Sequence, residues 1–303
     1  MTKTIFITGG TGFIGQKLVT ELLDKGYSLI VLTRDKNQPN LVRNESLRFI
    51  ENVNEIRSDE QIATVINLAG VPIADKKWDA KRKKAILDSR VGITQKTVEL
   101  IKRLKSKPEI FISASAVGYY GFCGDEILTE KDAPKKDFLS SVCQRWEEEA
   151  KKAENEVGRI CLLRIGVVLG KGGGALSRMV LPYRFFLGGP VGSGNQWLPW
   201  IHQADLLGII RFLLLNKRLS GAVNAVSPET TRNRDFSWEL GLVLKRPALI
   251  TTPGFALRFA LGELSDMLLK GQRVTPQVLL NQGYEFRYPT LKEALEDIFS
   301  NQR

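Results

Sequence analysis

Three glycines spaced three apart, Gly9, Gly12 and Gly15, are the first residues whose type and spacing suit chemistry. Glycine adopts positive φ without strain, and a backbone without Cβ lets an anion come close. A pyrophosphate is such an anion, held by the free N–H groups and dipole of a helix N-terminus. The intervening Thr11, Phe13 and Ile14 would supply more of those N–H groups. A purely structural turn is the competing reading. His202, the single histidine, is the side chain whose ordinary pKa lies near neutrality. Ser193, Gln196 and Trp197 border a glycine cluster and offer polar and stacking contacts to a small ligand. A hinge is an equal reading of that cluster.

The elements that must position these groups follow from periodicity. Thr4–Thr8 is β-branched and aromatic and runs straight into the glycines, so it is a strand followed by a turn. Phe13, Ile14, Leu18, Leu22 and Leu23 have helical spacing, and Gly26 is a natural C-cap. Further apolar runs at 27–32, 65–68, 110–113 and 160–163 alternate with helical patterns at 85–104 and 146–156. Continuous apolar strands are buried on both faces, which means a parallel sheet covered by helices. The expected fold is α/β: a Rossmann-type doubly wound parallel sheet over 1–165. A smaller C-terminal α+β substrate lobe over 166–303 completes it, loop-rich between 166 and 200 and helical at 205–215, 235–244 and 291–299. A strand near 221–227 is placed to return to the main sheet.

In this context the end of the second strand identifies the nucleotide. An acid about 20 residues after the glycines would bind a ribose 2′-hydroxyl. Here the strand ends Val31-Leu32-Thr33-Arg34. A guanidinium presents a planar fork that suits a phosphate, so NADP(H) is expected, with Arg34 on the 2′-phosphate. Asp35 is the reservation, and a solvated Arg34 is the other reading.

Several segments together resemble a known family. They are Thr8–Gly15, Asn67-Leu68-Ala69-Gly70, the run Ser113 to Gly121, Arg164 to Gly170 and Trp200 to Asp205, in that order. The chain is similar to the extended short-chain dehydrogenase/reductases, and more narrowly to the atypical YfcH-like "epimerase family protein" subgroup. Ala69–Ala74, Cys143–Glu147, Leu187–Gly194 and Gly271-Gln272 carry the narrower likeness. The resemblance implies a bound NADP(H), with Gly9, Gly12 and Gly15 at the pyrophosphate and Thr33 and Arg34 at the adenosine phosphate. It also implies that Asn67, Leu68, Ala69, Gly70 and Ser113 lie at strand ends beside the cofactor and that Arg90 touches it. A solvated charge is an equal reading of Arg90. The segment Trp200–Asp205 would be a loop before a helix capped by Asp205.

The larger family uses a Ser or Thr with a Tyr-x-x-x-Lys pair, in which the lysine lowers the tyrosine pKa. Ser115 fits the serine position. The stretch where the pair belongs reads Phe138-Leu-Ser-Ser-Val-Cys-Gln-Arg145, without tyrosine or lysine. Tyr288 and Lys292 match the spacing only by chance, at the far end of the chain. Tyr119 or Tyr120 is the proposed substitute. Cys143, near the lysine position, reads as a buried structural thiol. His202 reads as a structural or substrate-contacting residue.

Composition excludes other classes. Forty-three per cent of residues are hydrophobic and 25% charged, as in an ordinary globular protein. Met1 to Thr8 has no long apolar stretch of a signal peptide, and no stretch is apolar enough to span a bilayer. Three cysteines without C-x-x-C spacing exclude a disulfide framework and fit a cytoplasmic protein. One histidine makes a metal centre unexpected. The net charge of +11 raises nucleic acid or an anionic surface as partners. Residues 75–109 hold 12 Lys plus Arg against 5 Asp plus Glu, mostly on a solvated helix face. Without a basic tail or Arg-aromatic motif, neither nucleic acid nor membrane is expected as a partner. A small polar, sugar-like or nucleotide-linked substrate is. The two function classes carried forward are an NADP(H)-dependent epimerase or oxidoreductase and a non-catalytic NADP(H)-binding regulator.

Overall fold

The computed structural model describes residues 3–37 and 44–300. Met1 and Thr2, part of the leader reading above, lie outside the described residues. The chain begins with β1 (Thr4–Thr8), α1 (Phe13–Asp24), β2 (Ser28–Leu32), β3 (Leu47–Ile50) and β4 (Thr64–Asn67). It continues through α2 (Ala80–Arg103), β5 (Ile110–Ala116), β6 (Ile127–Leu128), α3 (Phe138–Lys151) and β7 (Ile160–Ile165). Next come β8 (Val167–Leu169), α4 (Leu176–Arg184), β9 (Trp200–His202), α5 (Gln203–Leu215) and β10 (Gly221–Ala225). Seven strands form one parallel sheet in the order β10-β7-β5-β4-β1-β2-β3.

The two-residue period of the strands divides the core into two layers. Ile5 and Ile7 of β1, Leu29 and Val31 of β2 and Ile112 of β5 pack with Leu18 and Leu22 of α1 and Ile209 and Leu213 of α5. Their neighbours Phe6, Ile30 and Phe111 face the other way, onto Val98 and Ile101 of α2 and Ala150 of α3. Apolar residues at consecutive strand positions are therefore all buried, each by helices of one layer. Strand order reverses at β1, whose neighbours are β2 and β4, so a crevice opens at the carboxyl ends of these strands.

The remaining elements are α6 (Asn233–Leu244), α7 (Gly254–Leu261), α8 (Asp266–Leu269), β11 (Arg273–Val274), α9 (Gln277–Asn281) and α10 (Leu291–Phe299). Of these, α6 and α10 share a smaller core with α4, built on Trp200, Phe236, Leu240, Leu295 and Ile298, while Leu279 of α9 packs into the first layer. β10 pairs with β7 and α5 packs beneath the sheet, so residues 203–225 lie with the first lobe despite following the boundary at 165.

Three elements differ from the periodic reading. α3 begins at Phe138 rather than Trp146, because Asp137 accepts from the Ser140 N–H at 2.8 Å and caps it. Its first turns are masked in the sequence by Ser140 and Ser141, although Val142 and Cys143 are buried. The stretch 166–200 contains α4, which turns Leu176, Val180 and Tyr183 inward. Trp200–His202 is a strand paired with β8, and α5 is capped by His202 rather than Asp205. His202 Nδ1 accepts from the Ala204 N–H at 3.1 Å. Asp205, inside the first turn, instead accepts from the backbone N–H groups of Arg287 and Tyr288 at 2.7 and 3.0 Å.

Candidate functional site

At the glycine turn, Gly9 has φ +72°, and a Cβ there would lie 2.7 Å from the Leu68 carbonyl carbon. The turn thus presses against the chain leaving β4, and the structure brings Gly9 beside Leu68 and Ala69. Gly15 is tighter still: a Cβ would meet Gly9 O at 2.1 Å and Gly10 Cα at 2.6 Å. Gly12 differs, because a Cβ there would find only Gly9 O, at 3.3 Å, and the residue is exposed. Gly12 is also the N-cap of α1, with no side chain accepting from the first turn. The turn is closed on its inner side, and the first-turn N–H groups of α1 have no side-chain cap, which suits an anion. Thr11, Phe13 and Ile14 are half-buried around it. Phe13 also has a packing role. Its ring covers Gly170, Gly173 and Gly174, where any Cβ would collide with it, and its carbonyl accepts from Gln203 at 2.8 Å.

At the tip of β2, Arg34 is exposed and makes no ion pair among the described residues. Thr33 is buried and its hydroxyl closes a local turn with Asp35. The Asp35 carboxylate accepts from the Asn37 N–H at 2.8 Å. Asp35 is thus occupied in its own turn, and Arg34 stands exposed at the strand end without an ion pair among the described residues. Asn67 is fully buried and locked: it accepts from Thr8 Oγ1 at 2.6 Å and donates to Thr94 and Ser113 at 2.8 and 3.3 Å. Asn67 and Ser113 therefore bolt β1, β4, β5 and α2 together, and their side chains are not available to a ligand. Gly70 lies against Arg90, whose guanidinium donates to Ile86 O and Val71 O at 3.1 Å each. It faces Trp146 with 5.3 Å to the ring centroid. No carboxylate pairs with it among the described residues, and burial lowers its pKa. Arg90 is neither a solvated surface charge nor, through those bonds, a freely mobile one.

The proton-relay candidates separate. Ser115 is 3% exposed and donates to Glu147 at 2.7 Å. Glu147 forms a two-bonded ion pair with Arg164, at 2.8 and 2.9 Å. Arg164 in turn donates to the Tyr120 hydroxyl at 3.0 Å, which donates to Asn224 at 2.6 Å. This buried chain joins β5, α3, β7 and β10. Burial pushes the Tyr120 phenol up to about 12 despite the opposing Arg164 charge. Burial alone would lower the Arg164 pKa, but the Glu147 hydrogen bond and charge hold it above its ordinary value. Tyr119 alone of the three is half-exposed, with the Arg164 guanidinium 3.4 Å from its ring centroid. Cys143 is buried behind Gly118, and burial, then Glu147, pushes its thiol up to about 12. Glu147 and Arg164 went without a role in the sequence reading, although both stand inside the motifs that carry the resemblance. Their pairing depends on α3 lying against β7, which their spacing along the chain does not signal.

In the C-terminal lobe, Gln196 and Trp197 help line a cavity of about 320 Å³ with Phe122, Asp125, Arg232 and Lys270. Trp197 donates to Asp125 at 2.7 Å, and Asp125 also pairs with Arg232 at 2.9 Å. Arg232 and Arg273 lie 4.2 and 4.6 Å from the centroid of the Trp197 ring. Gln196 Oε1 is buried without a partner among the described residues. Ser193 is exposed and accepts from Asn195 at the rim. His202 lies elsewhere, packed on Tyr288 at 4.0 Å and 3.4 Å from Asp297. Burial, offset only in part by Asp297, lowers its pKa to about 4. The structure thus gathers Ser193, Gln196 and Trp197 and leaves His202 as a helix cap. Arg232, Arg273 and Phe122 are additions that only the fold brings together. Among the described residues no group of three His, Cys, Asp or Glu could hold a metal ion.

Comparison with known proteins gives the family. Residues 5–225 match the NAD dependent epimerase/dehydratase family, and residues 252–298 match DUF1731, a domain of unknown function. The chloroplastic SDR39U1 homologue of Arabidopsis thaliana, an epimerase family protein, is 40% identical over 301 residues, which are 97% of this chain and 86% of that protein. The epimerase family protein YfhF of Bacillus subtilis is 36% identical over 304 residues, 99% of each chain. The crystal structure of human epimerase family protein SDR39U1 with NADPH superposes with a TM-score of 0.89 at 32% identity, over 98% of this chain and 99% of that one. The chain belongs to the NAD dependent epimerase/dehydratase family, in its SDR39U1-like branch.

Proposed function

We propose that the chain binds NADP(H) at the Gly9–Gly15 turn and acts as an epimerase or oxidoreductase on a small polar substrate held in the Trp197 cavity. One observation carries the cofactor reading. The uncapped N-terminus of α1 and Arg34, which makes no ion pair among the described residues, lie at the ends of adjacent strands, β1 and β2. They supply the two cationic surfaces that a pyrophosphate and a 2′-phosphate need. The human relative solved with NADPH supports the same reading. Bound there, the cofactor would supply hydride chemistry, while the protein orients it and shields the site from water. Tyr119 is the one half-exposed phenol of the candidate set, with the Arg164 guanidinium 3.4 Å from its ring centroid.

A second reading is a non-catalytic NADP(H)-binding regulator. The locking of Ser115 and Tyr120 by Glu147, Arg164 and Asn224 favours it. Two measurements separate the readings. NADPH and NADH affinities are titrated by nucleotide fluorescence for the wild type and Arg34→Glu. A loss of about ten- to a hundredfold is expected for NADPH, the size of a charge-assisted contact, with NADH little changed. Equal NADPH affinity in the variant removes the phosphate assignment. Turnover of NADPH is then followed with a panel of carbonyl compounds and nucleotide sugars. Activity abolished in Tyr119→Phe supports the enzyme; tight binding without turnover on the panel supports the regulator.

A further inference from the structure

We infer that the α4 end, the α6 end and α7 together form a docking face for an anionic lipid surface. α7 reads Gly-Phe-Ala-Leu-Arg-Phe-Ala-Leu and has no buried residue. Phe255 and Phe259, one turn apart, are 77% and 90% exposed. The segment just before it carries exposed Leu249 and Ile250, and the end of α4 carries exposed Phe185, Phe186 and Leu187. These segments adjoin. Ile250 N–H donates to Gly188 O at 3.0 Å and Thr252 N–H to Pro190 O at 2.9 Å, and α7 starts where that ladder ends. α6 joins through Arg246, whose guanidinium is 4.6 Å from the Phe186 ring centroid. Monomeric soluble proteins scatter exposed apolar residues singly, whereas contiguous ones mark a contact surface.

Charge selects the occupant. Residues 178–188 and 242–261 contain no Asp or Glu, but Arg184, Lys245, Arg246 and Arg258 are all there and exposed. Aromatic and aliphatic side chains among cations are the composition of a helix lying in an anionic interface. A second copy of the chain fits less well, because a two-fold contact would set these same cations against each other. Two residues strengthen the case. Phe186 and Lys245 hold φ of +59° and +53°, the only non-glycine residues with positive φ among those described. Each closes a helix where glycine would sit without strain, yet the side chains are presented to solvent rather than packed. No helix among the described residues is long and apolar enough to cross a membrane, so the contact lies on the surface. The sequence gives no sign of it because the cations and aromatics are dispersed along the chain and meet only after folding.

The experiment is sedimentation of the full chain with vesicles of phosphatidylcholine alone and of phosphatidylcholine with 30% phosphatidylglycerol (about one lipid in three). Binding to the anionic vesicles, weakened at high salt, is expected. Phe255→Ser/Phe259→Ser and, separately, Arg246→Glu/Arg258→Glu should each lower partitioning about tenfold or more. Melting curves for both variants check that the fold persists, as exposed positions permit. Equal partitioning onto neutral and anionic vesicles overturns the charge argument, and absence of binding to either overturns the proposal. So does a dimer in solution that the phenylalanine substitutions dissociate, since that would give the face to a second copy.

Discussion

The two ends of the crevice are built on opposite principles. At β1 and β2 the turn is tight inside and open outside: Gly15 admits no Cβ, whereas Gly12 and Arg34 are exposed, and Arg34 makes no ion pair among the described residues. At β5 and β7 the polar groups face one another, and Ser115, Glu147, Arg164, Tyr120 and Asn224 exhaust their bonds internally. Both ends contain residue types suited to chemistry. Only at the first does the fold leave hydrogen-bonding capacity for a ligand. The difference teaches that a hydroxyl in a motif is informative about function only when its partners are known. β5 illustrates this: Ile110 to Ser115 are all buried, so Ser113 and Ser115 both spend their hydroxyls inside the structure.

The largest expected effect tests the closed end. Glu147→Ala leaves Arg164 buried and unpaired, at a cost of about 3–5 kcal/mol. For a chain of this size the melting temperature should fall by roughly 10 °C, read by calorimetry. The double variant Glu147→Leu/Arg164→Met removes both charges and should regain much of that loss. If the single variant melts like the wild type, the chain of bonds is not what holds these strands.

Next in size is the pH dependence of His202, the remaining titratable group of the sequence reading. Its folded pKa of about 4 lies below the ordinary 6.5 because burial disfavours the cation. Above pH 6.5 the imidazole is neutral in both states, and its contribution is complete. As pH falls from 6.5 to 4, the unfolded chain binds a proton that the folded one refuses. Stability then declines, by up to about 3 kcal/mol. His202→Asn keeps an acceptor for the α5 cap and has nothing to titrate. Its denaturation curves should lose that decline relative to the wild type. An unchanged slope would show that His202 does not titrate in this range.

Gly15→Ala probes the open end. Its methyl must displace the Gly9 carbonyl or the Gly10 backbone, with a cost of about 1–3 kcal/mol in stability. Because the displaced atoms form the turn itself, NADPH affinity should fall together with stability. Unaltered affinity would mean that the turn does not shape the nucleotide site.

The sequence made the glycine turn legible because its requirement is local: a strand, a tight bend and a helix lie within 25 residues. Apolar strands and the α2 stripe were readable for the same reason. The start of α3 was not, since its serines conceal a buried face that only Asp137 and the packing of Val142 reveal. The roles of Glu147 and Arg164 were not readable because their meeting depends on α3 crossing β7, 17 residues away along the chain. The Trp197 cavity draws on four separate loops, and no spacing encodes that.

Asp35 gives the finest test of the comparison. It stood in the sequence as the argument for a ribose hydroxyl, and the structure assigns its carboxylate to the Asn37 N–H at 2.8 Å. If that is its role, Asp35→Ala loses one exposed turn bond, about 0.5–1 kcal/mol. The ratio of NADPH to NADH affinity should then stay as it is, as the proposed assignment of the 2′-phosphate to Arg34 requires. A fall in NADH affinity alone would place the carboxylate on the ribose, and the open end would then read two cofactors rather than one.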